Sequence, residues 1–356
     1  MSEQPIISGI QQIGIGNASV YDTWEWYRKN LGFDVPVFDE AAEASLMLPY
    51  TGGKPRKRHA VLALNMMGGA GAEIWQYVGR TPQAPETPIQ IGDLGINISK
   101  YKSKNIETSF EALRNENILS KNITENPFGQ KHFYLKDQYD NLIEIVESDD
   151  WFKKEGFHTG GVYGACIGVT DMDKSIQFYE NILGYDKVLS DETNHFEDFA
   201  GLSGGNAKFR RVLLTHKTPR TGPFSKLFGS SQIELLQVMD NQPSKIFKNR
   251  LWGDLGYIHL CFDISGMNAM KSKCKLAGHP FTVDSGDFDM GDAAGHFAYI
   301  EDPDGTLIEF VETHKVPILK KIGWSLNLKD RNPSKDLPRW MIKALGFQRK
   351  KSPVNV

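Results

Sequence analysis

The sequence lacks most of the signatures that assign a function directly. No segment reaches the roughly 18 consecutive apolar residues of a membrane-spanning helix, and the start MSEQPIISGIQQ has no basic run followed by an apolar core. There is no GxGxxG leading from a strand into a helix, no P-loop, no GxSxG and no CxxC. These absences predict neither export nor membrane spanning, and they disfavour dinucleotide, P-loop and serine-hydrolase chemistry.

Cysteine is scarce and the charge is nearly balanced. The three cysteines, Cys166, Cys261 and Cys274, form no even disulfide framework, which predicts a reducing, cytoplasmic location. A formal net charge of −3 over 356 residues gives no indication of nucleic acid or a membrane as a partner. Positive charge does collect in residues 316–356, with ten Lys and Arg against two Asp. Apolar residues are mixed in, so we interpret this segment as a basic amphipathic helical tail folded back on the body.

The sequence does contain an acid in an unexpected place. The stretch HFAYIEDPDGTLIEF, residues 296–310, is two apolar runs around a tight turn, and Glu309 lies deep in the second run. Strand side chains alternate between two faces, so one face must accept this charge. The alternative is that Glu309 faces solvent on a half-exposed strand, but the pattern recurs elsewhere in the chain.

The chain contains internal repeats. WEWYRKNLGFD from Trp24 aligns with IQFYENILGYD from Ile176, and a GDLG segment from Gly92 aligns with one from Gly253. Each repeat indicates a strand, an amphipathic helix with a glycine cap, and further strands. Four units result, and each ends on a strand with one glutamate: Glu73, Glu144, Glu234 and Glu309. Four acids at one place in four repeats argue against four independent solvent-facing positions.

The segments DMDKSIQFYENILGYDKV and YIEDPDGTLIEF resemble the vicinal-oxygen-chelate (VOC) superfamily of glyoxalase I, extradiol dioxygenases and bleomycin-resistance proteins. The resemblance covers about residues 7–315. It implies an α+β fold in which four βαβββ modules form two curved, cup-shaped mixed sheets, with the helical tail outside them. The implied division is VOC domain 1 at 7–150, with modules at about 7–85 and 90–150, and VOC domain 2 at 158–315, with modules at about 158–245 and 252–315. Because the modules are fused, we expect a monomer.

In this family, the first and last strands of the modules hold a metal ion inside each cup. The last-strand positions are the four glutamates, and the first-strand positions fall on Gln12, Ile98, Gly164 and His259. If neighbouring modules pair, one cup holds Gln12, Glu73 and Glu144, the other holds Glu234, His259 and Glu309, and neither is complete. If the chain resembles a fused glyoxalase I dimer, one cup holds Gln12, Glu73, His259 and Glu309. Glu144 and Glu234 then mark a second, decayed site. We favour the fused-dimer arrangement.

The resemblance implies one divalent metal ion as cofactor (Zn, Ni, Co, Fe or Mn), since an imidazole, an amide and carboxylates form a borderline-hard ligand set. The implied activity is that of a glyoxalase I-like lyase or isomerase. Such an enzyme moves a proton between adjacent carbons of a small oxygenated substrate, through an enediolate whose oxygens the metal holds. The catalytic base is Glu309 or Glu73, with Glu309 favoured. The candidates for the substrate pocket are Trp75, Tyr77, Phe297 and Tyr299.

Two alternatives stay open on sequence grounds. Tyr299 ahead of Glu309 resembles the end of the extradiol dioxygenase signature, but the His-His-Glu triad of that family requires a histidine where this chain has Gly164. The other alternative is a metal-free, small-molecule-binding protein of the resistance type, in which His259 is a hydrogen-bonded core residue. Four basic residues are possible anion contacts for a substrate, but we favour solvated strand ends for all of them: Lys57, Arg58, Arg210 and Arg211.

Overall fold

The computed structural model describes residues 4–154, 156–289, 294–319 and 323–350. Module one contains β1 (Ile6–Asn17), α1 (Val20–Leu31), β2 (Val35–Glu43), β3 (Lys57–Leu64) and β4 (Gly71–Tyr77). Module two contains β5 (Gly95–Ser103), α2 (Ile106–Leu113), β6 (Asn117–Ile118), β7 (Thr124–Glu125), β8 (Lys131–Lys136) and β9 (Leu142–Glu147).

The second half of the chain repeats this order. Module three contains β10 (Thr159–Gly168), α3 (Met172–Asn181), β11 (Lys187–Asn194), β12 (Phe209–Thr215), the inserted turn of helix α4 (Ser225–Phe228) and β13 (Gln232–Val238). Module four contains β14 (Gly256–Ser265), α5 (Met267–Leu276), β15 (Val283–Asp284), β16 (Phe288–Asp289), β17 (Ala294–Glu301) and β18 (Leu307–Leu319). The tail adds β19 (Trp324–Asn327) and α6 (Arg339–Ala344). No helix among the described residues is long and apolar enough to cross a membrane.

The modules pair across the two halves of the chain. One sheet, which we call the outer cup, joins modules one and four in the order β15-β17-β18-β14-β1-β4-β3-β2, with β16 on β17 and β19 on β18. The other, the inner cup, joins modules two and three in the order β11-β12-β13-β10-β5-β9-β8-β6, with β7 on β8. The fused-dimer pairing is therefore the observed one, and pairing of neighbouring modules is wrong. Each sheet takes one module from residues 7–150 and one from 158–315, and the domain boundaries drawn on the sequence stay predictions.

In both cups the first strands of the two modules form the central antiparallel pair, β1 with β14 and β5 with β10. Each first strand also runs parallel to the last strand of its own module. A strand flanked on both sides and covered by a helix is buried on both faces, which explains why nearly every residue of β1 and β14 is buried, polar ones included. This arrangement places the first-strand and last-strand positions of both modules side by side.

The repeated tyrosine of the helices ties the cups together. The Tyr27 hydroxyl in α1 donates to Asp137 Oδ2 at 2.9 Å, and the Tyr179 hydroxyl in α3 donates to Asp302 Oδ2 at 3.0 Å. Each aspartate also accepts backbone N–H groups of its own hairpin turn, between β8 and β9 or between β17 and β18. Each helix is therefore bonded to the hairpin of the other cup. Burial raises the pKa of Asp302 to about 6.

The tail does fold back on the body, but only part of it is helical. β18 continues into the tail as far as Leu319, and the α-helix is confined to Arg339–Ala344. Prolines at 317, 333 and 338 remove backbone donors along this segment, which prevents one long helix. The tail contributes Leu328, Leu337, Ile342 and Leu345 to an apolar cluster that includes Val35, Leu64, Met66, Phe224 and Phe228. Residues 351–356 of the predicted tail lie outside the described residues.

We predict that Tyr179→Phe lowers the free energy of unfolding by about 1.5–3 kcal/mol, because a buried carboxylate loses a hydrogen bond. Urea denaturation at pH 7 measures this change. The matched control is Tyr21→Phe, which removes a hydroxyl that donates to Asp39 at 3.3 Å in an exposed position. The control is expected to change stability by less than about 0.5 kcal/mol. Equal effects of the two substitutions would contradict this account of the repeated tyrosine.

Candidate metal centre

The outer cup brings the four residues of its candidate site to one point. In β14, His259 lies two residues before Cys261, which pairs with Glu309 on β18. In β1, Gln12 lies two residues before Gly14, which pairs with Glu73 on β4. Side chains two residues apart on a strand share a face, so the pairing of β1 with β14 directs all four side chains into the cup.

The four side chains are close to one another and buried. His259 Nε2 lies 3.2 Å from Glu73 Oε2 and 3.1 Å from Glu309 Oε2. The Gln12 amide donates to Glu73 Oε2 at 3.0 Å. His259 is fully buried, and Gln12, Glu73 and Glu309 are 4%, 8% and 7% exposed. Glu309 is therefore buried. The alternative, in which this acid faces solvent on a half-exposed strand, is wrong.

The charges and donor atoms fit a divalent cation. Within the described ranges, His259 is the only basic side chain at ion-pair distance from Glu73 or Glu309. Among the described residues, three buried atoms that could ligate a metal form no hydrogen bond of regular geometry, although the last two lie 3.1 Å apart: Gln12 Oε1, His259 Nε2 and Glu309 Oε2. Glu73, His259 and Glu309 are also the one group of described His, Cys, Asp and Glu residues whose ligand atoms all lie within 4.8 Å of one another. Buried carboxylates without enough positive charge nearby are costly, and a bound divalent ion removes that cost.

The protonation state of the His259 ring depends on whether it faces only the two glutamates or also binds a metal ion. Burial lowers the pKa of the ring, but the carboxylates of Glu309 and Glu73 outweigh burial and raise it to about 9. The Trp252 indole Nε1 donates to His259 Nδ1 at 3.4 Å. That bond requires a lone pair on Nδ1, so it belongs to the neutral ring protonated on Nε2. Both the imidazolium and a ring that ligates through Nε2 carry a proton on Nδ1, and both therefore give up the Trp252 bond.

A glycine makes room for the histidine. Gly14 pairs with His259 across the central strands. A Cβ atom at Gly14 would lie 2.5–2.8 Å from three atoms of the imidazole ring, closer than real contacts. The ring therefore lies directly against the β1 backbone, which fixes its orientation toward the two glutamates.

Four aromatic residues are predicted for a substrate pocket. They lie on the face of the outer cup that also carries the glutamates. Trp75 and Tyr77 follow Glu73 at alternate positions of β4, and Tyr299 pairs with Glu309. Trp75, Tyr77 and Tyr299 are buried in one apolar cluster with Trp252, and Phe297 is partly buried against it. Tyr299 meets the His259 ring edge to face at 5.6 Å between centroids. The assignment of these residues to a substrate pocket stays a prediction.

The inner cup has a different centre. Its glutamates, Glu144 and Glu234, are 0% and 1% exposed and both pair with the buried Lys100. The cup has an apolar residue, Ile98, and a glycine, Gly164, at its two first-strand positions. Buried acids without a bound metal require a cationic partner or a proton, and Lys100 and Arg211 supply positive charge here.

Arg211 is not at a solvated strand end, so that expectation is wrong. Its side chain is fully buried, pairs with Glu234, and donates to Asp198 at 2.8 and 3.0 Å. The aromatic rings of Phe196 and Phe199 lie 5.1 and 4.1 Å from the guanidinium carbon. The preceding Arg210 does lie near the surface, paired with Asp173 and Asp191. Alternation along β12 sends one arginine of the pair inward and the other outward.

Sequence reasoning missed two residues that shape the two centres. The sequence does indicate a role for Lys100, since Lys100 and Lys102 occupy alternate positions of the otherwise uncharged strand GINISKYKS. A lysine at an inward position of a buried strand needs an anionic partner, and the last-strand glutamates are the nearest candidates. Trp252 lies in the connection before β14, where no periodic pattern predicts which way a side chain points.

Comparisons with known proteins agree with the fold. Residues 158–310 match the family model of the Glyoxalase/Bleomycin resistance protein/Dioxygenase superfamily. The "lactoylglutathione lyase" of Schizosaccharomyces pombe is 26% identical over 211 residues, or 58% of this chain, and the match spans 63% of the length of that relative. A single-substitution variant of glyoxalase I from Zea mays has a TM-score of 0.54 at 14% identity, with 87% of this chain and 92% of that chain covered. A putative dioxygenase from Bacillus subtilis has a TM-score of 0.54 at 15% identity, with 86% of each chain covered.

The family-model match assigns residues 158–310 to this superfamily, which is the VOC superfamily, and the order of strands in the two curved sheets shows the same module fold in both halves of the chain. The two solved structures have low identity, so they support the fold alone. The reaction, the metal and the residues that perform the chemistry are inferred from the outer cup itself.

We predict that the metal-free protein loses stability as the pH rises from about 6.5 to about 9. The folded-state pKa of His259 is raised, so its contribution is complete below the unfolded pKa of about 6.5 and disappears through a folded pKa of about 9. The loss is on the order of 3 kcal/mol, and urea denaturation in EDTA across this range measures it. His259→Gln should remove most of the slope, whereas His195→Gln, at an exposed position, should retain it. An unchanged slope in His259→Gln would show that the ring is not held between ionised glutamates.

Proposed function

We propose that the protein is a metal-dependent VOC enzyme, a glyoxalase I-like lyase or isomerase that moves a proton between adjacent carbons of a small oxygenated substrate. The observation that carries this proposal is the outer cup, where two buried carboxylates have a single histidine as their basic partner. Among the described residues, the buried Gln12 Oε1 has no hydrogen-bond partner, and both glutamates depend on the same His259 ring for positive charge.

We assign the metal-holding role to Gln12 Oε1, Glu73, His259 Nε2 and Glu309. A divalent cation bound there would supply Lewis-acid stabilisation of negative charge on the substrate oxygens. This set of one imidazole, one amide and two carboxylates suits Zn, Ni, Co, Fe or Mn and contains no thiolate. The two negative charges of the glutamates balance the two positive charges of the ion.

We assign the proton transfer to Glu309 in preference to Glu73. Glu73 Oε2 accepts the Gln12 amide hydrogen, which holds that carboxylate in place and satisfies one of its lone pairs. Glu309 Oε2 contacts His259 Nε2 at 3.1 Å but, among the described residues, accepts no amide hydrogen. The carboxylate held by fewer hydrogen bonds turns toward a substrate at lower cost. The neighbouring rings of Tyr299, Trp75 and Trp252 exclude water from the carboxylates and thereby strengthen these charge interactions.

The name of the Schizosaccharomyces pombe relative, lactoylglutathione lyase, suggests lactoylglutathione as the first substrate to test. A monomeric state and a cytoplasmic location remain our proposals, based on the fused modules and on three free, buried cysteines. No feature of the outer cup favours nucleic acid or a membrane surface as a partner.

We predict that the purified protein contains one divalent ion and loses it on Gln12→Ala or His259→Ala. Elemental analysis of protein purified without a His tag measures the metal content. Gln11→Ala is the matched control, because the neighbouring amide donates to Asp263 and not to a glutamate of the outer cup. Metal retained by both site variants would refute the assigned ligand set. Absence of metal from the wild-type protein would favour a binding protein, and oxygen uptake with a catechol would favour a dioxygenase.

We predict that Glu309→Gln lowers kcat about 10²–10⁴-fold, the usual contribution of a general base, with the ion still bound. The amide retains an oxygen ligand but cannot accept the proton. Glu312→Gln, on the same strand, is the control, because that carboxylate accepts the N–H groups of Gly266 and Met267 outside the site. If Glu73→Gln abolishes turnover while Glu309→Gln retains it, the base is Glu73.

A further inference from the structure

The centre of the inner cup is a lysine that bridges two modules. Lys100 Nζ lies 2.5 Å from Glu144 Oε2 and 2.5 Å from Glu234 Oε2, and its side chain is fully buried. Glu144 belongs to module two and Glu234 to module three. One ammonium group therefore connects the last strands of both modules across the cup.

This position corresponds to the candidate metal centre of the outer cup. Lys100 pairs with Glu144 between β5 and β9, as Cys261 pairs with Glu309 between β14 and β18. Both residues follow a first-strand ligand position by two residues, so both side chains point into their cup. Where the outer cup has a thiol, the inner cup has a side chain long enough to reach both glutamates.

We propose that Lys100 is a tethered cation that replaces the divalent ion in the inner cup, so that this cup takes no metal and the chain holds at most one ion. The comparison with the outer cup rests on the proposed function, whereas the bridging role of Lys100 does not. The ammonium and the buried glutamates stabilise one another in the way that ligands and an ion do. The fused chain thus keeps the cross-link between modules without needing metal for it.

All four carboxylate oxygens of the inner pair have partners. Lys100 contacts one oxygen of each glutamate, His132 Nδ1 lies 2.9 Å from Glu144 Oε1, and Arg211 Nε donates to Glu234 Oε1. The positive groups lower the pKa of both glutamates in spite of burial. In the outer cup, by contrast, both glutamates share the one His259 ring as their basic contact among the described residues.

The inner cup also has no space for one of the missing ligands. A Cβ atom at Gly164 would lie 1.9 Å from the backbone oxygen of Gln232, so a side chain there requires the backbone of β10 or β13 to move. The other first-strand position holds the buried, apolar Ile98. Two protein ligands are therefore absent. Lys100, two residues after Ile98 on β5, supplies positive charge instead.

The first test measures the bridge without any metal. Urea denaturation in EDTA at pH 7 compares Lys100→Met with Lys102→Met, both on β5 and both buried. Lys102 donates to the Asp150 backbone oxygen at 3.0 Å and lies 3.7 Å from a carboxylate that is 45% exposed. We expect Lys100→Met to shift the urea midpoint downward clearly further than Lys102→Met, because it leaves two buried glutamates without their shared cation. An equal or smaller shift would overturn the proposal.

The second test counts bound cobalt by titration with Co²⁺. We expect one equivalent for the wild-type protein and none for His259→Ala. The double variant His259→Ala/Lys100→Ala should regain one equivalent, which Glu144→Gln should remove again. Two equivalents in the wild-type protein, or no gain in the double variant, would overturn the proposal. No cobalt binding by the wild-type protein would refute the proposed function, and the inference about Lys100 would then be decided by the denaturation result.

A reciprocal variant keeps the inference testable if Lys100→Ala does not fold. Cys261→Lys places a lysine at the equivalent register position of the outer cup, opposite Glu309. We expect this variant to lose cobalt binding completely while Cys261→Ser retains it. Cobalt bound by a folded Cys261→Lys protein would show that a lysine at this position does not replace the ion, and it would overturn the proposal.

Discussion

Two carboxylates buried side by side repel each other and lose their hydration, so a sheet that encloses such a pair must also provide positive charge. Both cups of this protein are built around that requirement. In the inner cup, Lys100 and Arg211 meet it with side chains of the chain itself. In the outer cup, His259 is the only basic residue at ion-pair distance from either glutamate within the described ranges. The same geometry thus gives a closed ionic cluster in one cup and, in the other, the site that we propose for a divalent ion.

The pairing of first strands makes this geometry possible. A parallel pair inside each module sets the distance between a first-strand residue and the glutamate on the last strand, and the antiparallel pair β1 with β14 joins two such halves. Neither half has a complete ligand set by itself, since Gln12 and Glu73 come from module one and His259 and Glu309 from module four. The inner cup repeats the arrangement, which is why one lysine reaches glutamates from two modules.

The sequence allowed the fold and the position of the outer site to be predicted, and the reasons are specific. Repeats at fixed spacing gave the four modules, and the glutamates on the last strands gave positions that a shared fold places together. The pairing of modules stayed open on sequence grounds, because contacts between distant strands leave no local pattern. The inward direction of Arg211 was missed, because two adjacent arginines face opposite sides of a strand and composition does not tell which one is buried. Trp252 was missed for a related reason, since a side chain in a connecting loop is directed by the surfaces around it.

The interleaved pairing also has a consequence for the order in which the chain is synthesised. A growing chain that has reached residue 250 already contains every member of the inner cluster, including Lys100, Glu144 and Glu234. At that length it contains Gln12 and Glu73 but neither His259 nor Glu309. The inner cup therefore has its charges balanced while synthesis continues, and it needs nothing from the surroundings. The outer cup has to wait for the last module, which brings both its second glutamate and the histidine that lies between the two acids.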